Sequence, residues 1–112
     1  MNKERVQLLI DALRSGRYTK AIGQLKIGSY YCTTGVACDI YRKSHRKTTC
    51  WMGDQFVVLP ENKCDRNAPD LVLDWFGINR SLLHKIIDWN DSERLGFDTI
   101  AQRLEALLEK AL

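Results

Sequence analysis

Cys32, His84 and Asn90 are, in that chain order, a thiol, an imidazole and a carboxamide. A thiol hydrolase builds its nucleophile, its base and the group that orients the base from these side chains. Cys32 falls at the expected amino end of a helix, where backbone N–H groups and the helix dipole stabilise a thiolate. The plainer reading makes Cys32 a small packed core residue, His84 a structural residue beside Leu83, and Asn90 a residue that turns the backbone. That reading is the stronger, because a lone histidine on a short helix is usually structural. Asp39 and Asp91 offer a second route, a carboxylate-dependent hydrolysis of a small anionic substrate.

A binding site for an anion is the more economical expectation. Arg42, Lys43, His45, Arg46 and Lys47 place five basic-capable side chains within six positions, suited to a phosphate-bearing molecule or a nucleic-acid backbone. Tyr31, with Tyr30 and Tyr41, could stack on a base. The alternative is a set of cations that complements a helix carboxyl end and keeps the surface soluble. Asn90 and Asp91 lie between two apolar helical segments, as a turn or as a polar pair that orients a ligand. The expected ligand contacts are therefore Arg42, Lys43, Arg46 and Lys47, together with Tyr31, Asp39, Asn90 and Asp91.

Other chemistries fit less well. Cys32, Cys38, Cys50 and Cys64 are separated by five, eleven and thirteen residues, without the two-residue spacing of a zinc knuckle or a redox motif. No metal and no cofactor is expected from this pattern. The last helix has Glu105 and Glu109 on its candidate recognition face and follows a long turn, which argues against duplex DNA.

The chain has 112 residues, 45% of them hydrophobic and 28% charged, which fits one domain spanning residues 1–112. The bulkiest purely apolar run is only Phe56–Leu59, far short of a membrane span. The amphipathic amino terminus carries Glu4 and Asp11 and does not read as a secretory signal. A cytoplasmic protein is expected, its thiols reduced. Residues 1–56 hold ten Lys/Arg against four Asp/Glu, and residues 57–112 seven against ten, so the net +3 divides into +6 and −3. Such asymmetry marks a basic surface for an anionic partner opposite an acidic one, or simply reflects where the solvated faces fall.

The elements that position these residues follow from periodicity and punctuation. Val6, Leu9, Ile10 and Leu13 predict a helix over residues 3–15, ended by Gly16. Residues 17–29 read as a loop with one short extended piece near Leu25. A second helix is expected from Ser29 or Tyr31, with Cys32, Gly35, Val36 and Ile40 on its apolar side and Asp39 off it; Gly35 there implies a close approach. "KTTCWMGDQFVVLP" reads as a β-hairpin turning at Gly53-Asp54 and ending at Pro60, and residues 61–68 as loop. Pro69 suits a first helical position, Gly77 a stop, Asn79 or Ser81 a cap, and "DWNDSERLG" a break. Asp98 is expected to cap a final helix with a stripe of Phe97, Ile100, Ala101, Leu104, Leu107 and Leu108. Trp51, Trp75 and Trp89 read as core or partly buried aromatics. The class is α+β, a mainly helical domain with one small β-hairpin.

Several motifs resemble a family of small proteins of bacteriophages, prophages and actinobacteria. "ALRSG" with Tyr18 is similar to that family's opening. "YCTTGVACD", at Cys32, Gly35, Val36, Cys38 and Asp39, is similar to its "CCLGVLCD"-like segment. Pro69, Val72, Trp75 and Gly77 follow its "LPPEVAEWLGL"-like helix, and Asn90, Asp91, Phe97, Ile100 and Ala101 its "LND…SFAEIADLIE"-like ending. Thr33 and Thr34 replace a cysteine and a leucine, which counts against paired-thiol chemistry. The resemblance implies a phage-type context and no mechanism. The expected function is accessory binding of a host factor or a small anionic ligand such as a nucleotide, used to counter a host defence; an enzyme is the rival. A homo-oligomer is compatible with the pattern.

Overall fold

The first helix, α1 (Lys3–Arg14), starts where the Asn2 carboxamide oxygen accepts the Arg5 N–H at 3.1 Å, and Gly16 follows its end at φ +76°. Val6, Leu9, Ile10 and Leu13 turn inward as their spacing requires. The computed structural model describes residues 1–59, 63–65 and 68–110, with residues 63–65 described as backbone only.

Residues 17–29, expected as a loop with one short extended piece near Leu25, and Tyr30-Tyr31 after them are more regular than that. They form β1 (Thr19–Lys20), β2 (Lys26–Ile27) and β3 (Tyr30–Tyr31), a three-stranded sheet in which β3 pairs parallel with β1 and antiparallel with β2. Strands of two residues are too short to show alternation, so the sequence carries no periodic trace of them. This sheet takes Tyr30 and Tyr31 away from the second helix. That helix, α2 (Thr33–Ser44), begins later than expected, with Cys32 as its cap. Thr33 to Asp39 are all buried, so Asp39, expected off the apolar side, lies inside.

The hairpin forms as expected from β4 (Thr49–Met52) and β5 (Gln55–Val58), turning at Gly53 with φ +60°. A third strand, β6 (Lys63–Asp65), pairs antiparallel with β5 where a loop was expected. There are thus two small sheets rather than one hairpin. Asp54 joins them by accepting the Gly28 N–H at 2.9 Å. The expected strand end at Pro60 lies outside the described residues.

Pro69 is the residue before α3 (Asp70–Phe76), not its first helical position, because its ψ of 153° is extended. Gly77 ends α3 at φ +70°. Asn79 caps α4 (Arg80–Ile87) by accepting the Leu82 N–H at 2.8 Å. The expected break after α4 is instead a continuation, a π-helical turn over Asp88–Ser92 closed by Glu93 N–H to Asp88 carbonyl at 2.8 Å. Its wider winding carries Asn90 to 2% exposure. The last helix, α5 (Phe97–Lys110), starts one residue before Asp98, so Asp98 lies in its first turn and the Gly96 carbonyl accepts the Ile100 N–H.

The fold is α+β, with α1 packed most extensively against α5 and α2 in contact with α1, α3 and α4. Val6, Leu9, Val36, Phe76, Ile100 and Leu104 are among the fully buried side chains of one core. Among the described residues, no helix is long and apolar enough to cross a membrane.

Candidate functional site

The amino end of α2 is the floor of a cleft of about 400 Å³. Its walls come from the β1–β2 connection (Gly23 to Leu25), the start of α3, one face of α4 and the π-helical turn. Cys32, His84, Asn90 and Asp91 all line it, so the amino end of α2 meets the continuous segment of α4 and the π-helical turn there. Thr33, Thr34 and Arg80 also line it, and sequence reasoning missed them. Arg80 had a signal, since it sits four residues before His84 and therefore on the same helix face. Leu73, Leu83 and Ile87 make the opposite character, an apolar wall.

The hydrogen bonds at the cleft decide what its groups can do. Cys32 Sγ accepts the Gly35 N–H at 3.3 Å and lies 3.1 Å from Thr34 Oγ1. Burial pushes the Cys32 thiol up, against the opposing pull of the bonds from Thr34 and Gly35. A nucleophilic cysteine needs the reverse shift. Asn90 Oδ1 accepts the Thr33 N–H at 3.0 Å and the Thr33 hydroxyl at 2.9 Å, while its Nδ2 donates to the Ala21 carbonyl at 2.9 Å and to Asp91 at 2.7 Å. Asn90 thus caps α2 from another part of the chain and holds the β1–β2 region against it. Its carboxamide is committed to those partners, and the third member of a Cys-His-Asn arrangement is not placed to orient His84. Asp91 in turn accepts the Gly23 N–H at 3.0 Å.

The remaining expected ligand contacts lie elsewhere. Asp39 is the centre of a network in which Tyr18 OH donates to it at 2.6 Å, Trp51 Nε1 at 3.0 Å and Arg42 Nε at 2.9 Å. Lys43 Nζ stands 3.8 Å from the same carboxylate and 3.2 Å from Tyr18 OH. Burial raises the Asp39 carboxyl, and the bonds from Tyr18, Trp51 and Arg42 with the Arg42 charge more than offset it, leaving the carboxyl below its usual range. Tyr18 moves the other way, raised by burial and then by Asp39. Tyr31 is wedged edge-on between Tyr18 and Trp51, with ring centres 5.1 and 5.8 Å away. Arg42 and Lys43 therefore compensate an internal carboxylate. Arg46 and Lys47 project beyond the helix end, exposed.

Cys32 and Cys50 carry free thiols. Among the described residues, no three His, Cys, Asp or Glu side chains gather closely enough to hold a metal ion; the Cys64 side chain lies outside the described residues.

Residues 1–108 match the family model described as a domain of unknown function, DUF8296. The chain belongs to this family. The match runs over both the cleft and the Asp39 network, so both are parts of the family's domain rather than appendages to it. No curated protein and no solved structure matches the chain.

Proposed function

We propose that this protein acts by binding, and that the cleft at the amino end of α2 holds a small anionic ligand of nucleotide kind. The observation that carries this reading is the cleft itself: about 400 Å³, within the range of small-molecule sites, with apolar walls and a few convergent polar groups. Arg80 and His84, one turn apart on α4, supply donors for an anionic group. Arg80 is held only loosely, since its contact with Asp70 is 3.7 Å and both side chains are over three-quarters exposed. Asp91, Thr34 and Gln24 on the other elements suit the hydrogen-bond donors and acceptors of a base or sugar. Catalysis by Cys32 is disfavoured by its raised thiol and by the commitment of Asn90 to a cap.

The motif resemblance supplies the rest of the proposal: a phage- or prophage-type accessory protein in the cytoplasm of a host bacterium, sequestering a host nucleotide and so blunting a defence. This context is analogy from sequence alone.

Thermal unfolding in the presence of nucleoside mono-, di- and triphosphates and cyclic dinucleotides tests the site. At least one member of the panel is expected to raise the midpoint in a concentration-dependent way. Arg80→Gln with His84→Gln should weaken that ligand about tenfold while leaving the midpoint of the ligand-free protein unchanged. No shift with any member of the panel overturns the reading.

A further inference from the structure

The basic residues at the end of α2 do not face the cleft. Lys43 borders a separate groove of about 580 Å³ between α1 and the carboxyl half of α2. Leu8, Ala12, Ile40 and Trp75 form its apolar part. A smaller depression of about 420 Å³, lined by residues 43–48, continues it, and the two share Lys43 and Ser44. Leu8 is 50% exposed and stands outside the buried stripe of α1, so the core does not account for it. Ile40 and Trp75 are half-buried around the same groove.

Charge is one-sided along this path. Arg17, Lys43, Arg46 and Lys47 line it, and Asp11 is the one carboxylate among the lining residues. Asp11 already accepts a hydrogen bond from Gln7 Nε2 at 2.9 Å. Lys43 is partly compensated by Asp39, whereas Arg46 and Lys47 lie farther along and are exposed. An apolar floor beside a cationic end complements a peptide that carries a large apolar side chain next to Asp or Glu.

A single-stranded nucleic acid would use the same cations, but it also needs open ring faces on which bases stack. The two rings that line the groove, Tyr18 and Trp75, each already have a cation over one face. The Arg5 guanidinium lies 4.4 Å from the Trp75 ring centre, and the Lys43 ammonium stands 5.6 Å from the Tyr18 ring centre. The geometry points to a docking groove for an acidic segment of a partner protein, one apolar anchor resting on Leu8 and Ile40 and its carboxylates against Lys43, Arg46 and Lys47. This surface is independent of the ligand cleft and stands whether or not a nucleotide binds there.

Selection from a displayed library of random peptides, followed by affinity measurement on the enriched sequences, tests it. Peptides pairing Leu, Phe or Trp with Asp or Glu within one or two helical turns are expected to be enriched. Leu8→Ser should weaken them about tenfold, and Arg46→Gln with Lys47→Gln by a similar factor, with unchanged thermal midpoints. Only the effect of the cation pair should vanish at high salt. Enrichment of basic or uncharged sequences overturns the proposal. So does affinity indifferent to both variants, or displacement of the peptides by a thymidine oligonucleotide that binds more tightly.

Discussion

Cys32 and Asn90 are the residues whose types suggested catalysis, and their bonds assign them to architecture. Each supplies an acceptor to the first turn of α2: Asn90 to the Thr33 N–H and Cys32 to the Gly35 N–H. A sulfur is a weak acceptor, and Asn90 provides the stronger cap from across the fold. The Cys32 thiol is 7% exposed and pushed up by burial. At pH 7 it should therefore react with iodoacetamide about a hundredfold more slowly in the folded protein than in urea, through local opening alone. Peptide mapping by mass spectrometry reads this directly, with half-buried Cys50 as an internal reference. Rapid, selective labelling of Cys32 would return the nucleophile to consideration. His84 was legible as a residue but not as a neighbour, since its place beside the cleft depends on α4 being laid against α2.

Gly35 is the pivot among the elements. A Cβ built there would stand 1.8 Å from the Leu25 carbonyl oxygen, which also accepts the Cys32 N–H at 3.0 Å. The β1–β2 region thus presses its backbone directly on α2, and this contact forms one wall of the cleft. Gly35→Ala should cost about 2–4 kcal/mol, because backbone atoms on both sides must move. Gly96→Ala, where an added Cβ meets nothing within 4 Å, should change stability by less than about 0.5 kcal/mol. Urea unfolding of the two variants checks the contrast; equal effects would deny the close approach. A glycine inside a helical pattern signalled such an approach in the sequence. Its partner, ten residues earlier in an irregular segment, left no signal. The same limit applies to the π-helical turn, whose ladder has no residue signature, whereas α1, the hairpin and α4 carried their own periodicity, turn or cap.

The Asp39 network contributes a pH response at both ends of the range, and it ties the segment after α1, the middle of α2 and the hairpin together through Tyr18, Arg42 and Trp51. The Asp39 carboxyl is lower in the folded state than in the unfolded chain. It contributes stability that is present above about pH 4, the unfolded value, and is lost as pH falls through the folded one. Tyr18 is raised on folding, so its contribution is present below about pH 10 and is lost as pH rises through the folded value. Urea midpoints should form a plateau at neutral pH with a decline on each side. Asp39→Asn should lower the plateau and flatten the acid limb, and Tyr18→Phe should remove part of the alkaline limb. An unchanged acid limb in Asp39→Asn would place the acid sensitivity in other carboxylates.

The sequence by itself determined what neighbouring residues settle. Helical periodicity marked α1, α4 and α5, with the Gly16 stop and the Asn79 cap, Gly53-Asp54 marked the hairpin, and the apolar content with one continuous pattern marked an α+β domain. These signals are local because hydrogen bonds within a helix or a tight turn join residues close in the chain. Tertiary structure alone decided which polar groups meet. It sent Asp39 inward to Tyr18 and Trp51, turned Asn90 into a cap for α2, divided the expected anion site between an internal network and an exposed end, and opened the cleft beside Cys32. Those outcomes depend on pairings across as many as 69 residues, as between Asn90 and Ala21, and they are settled by how the helices pack, which no spacing in the chain encodes.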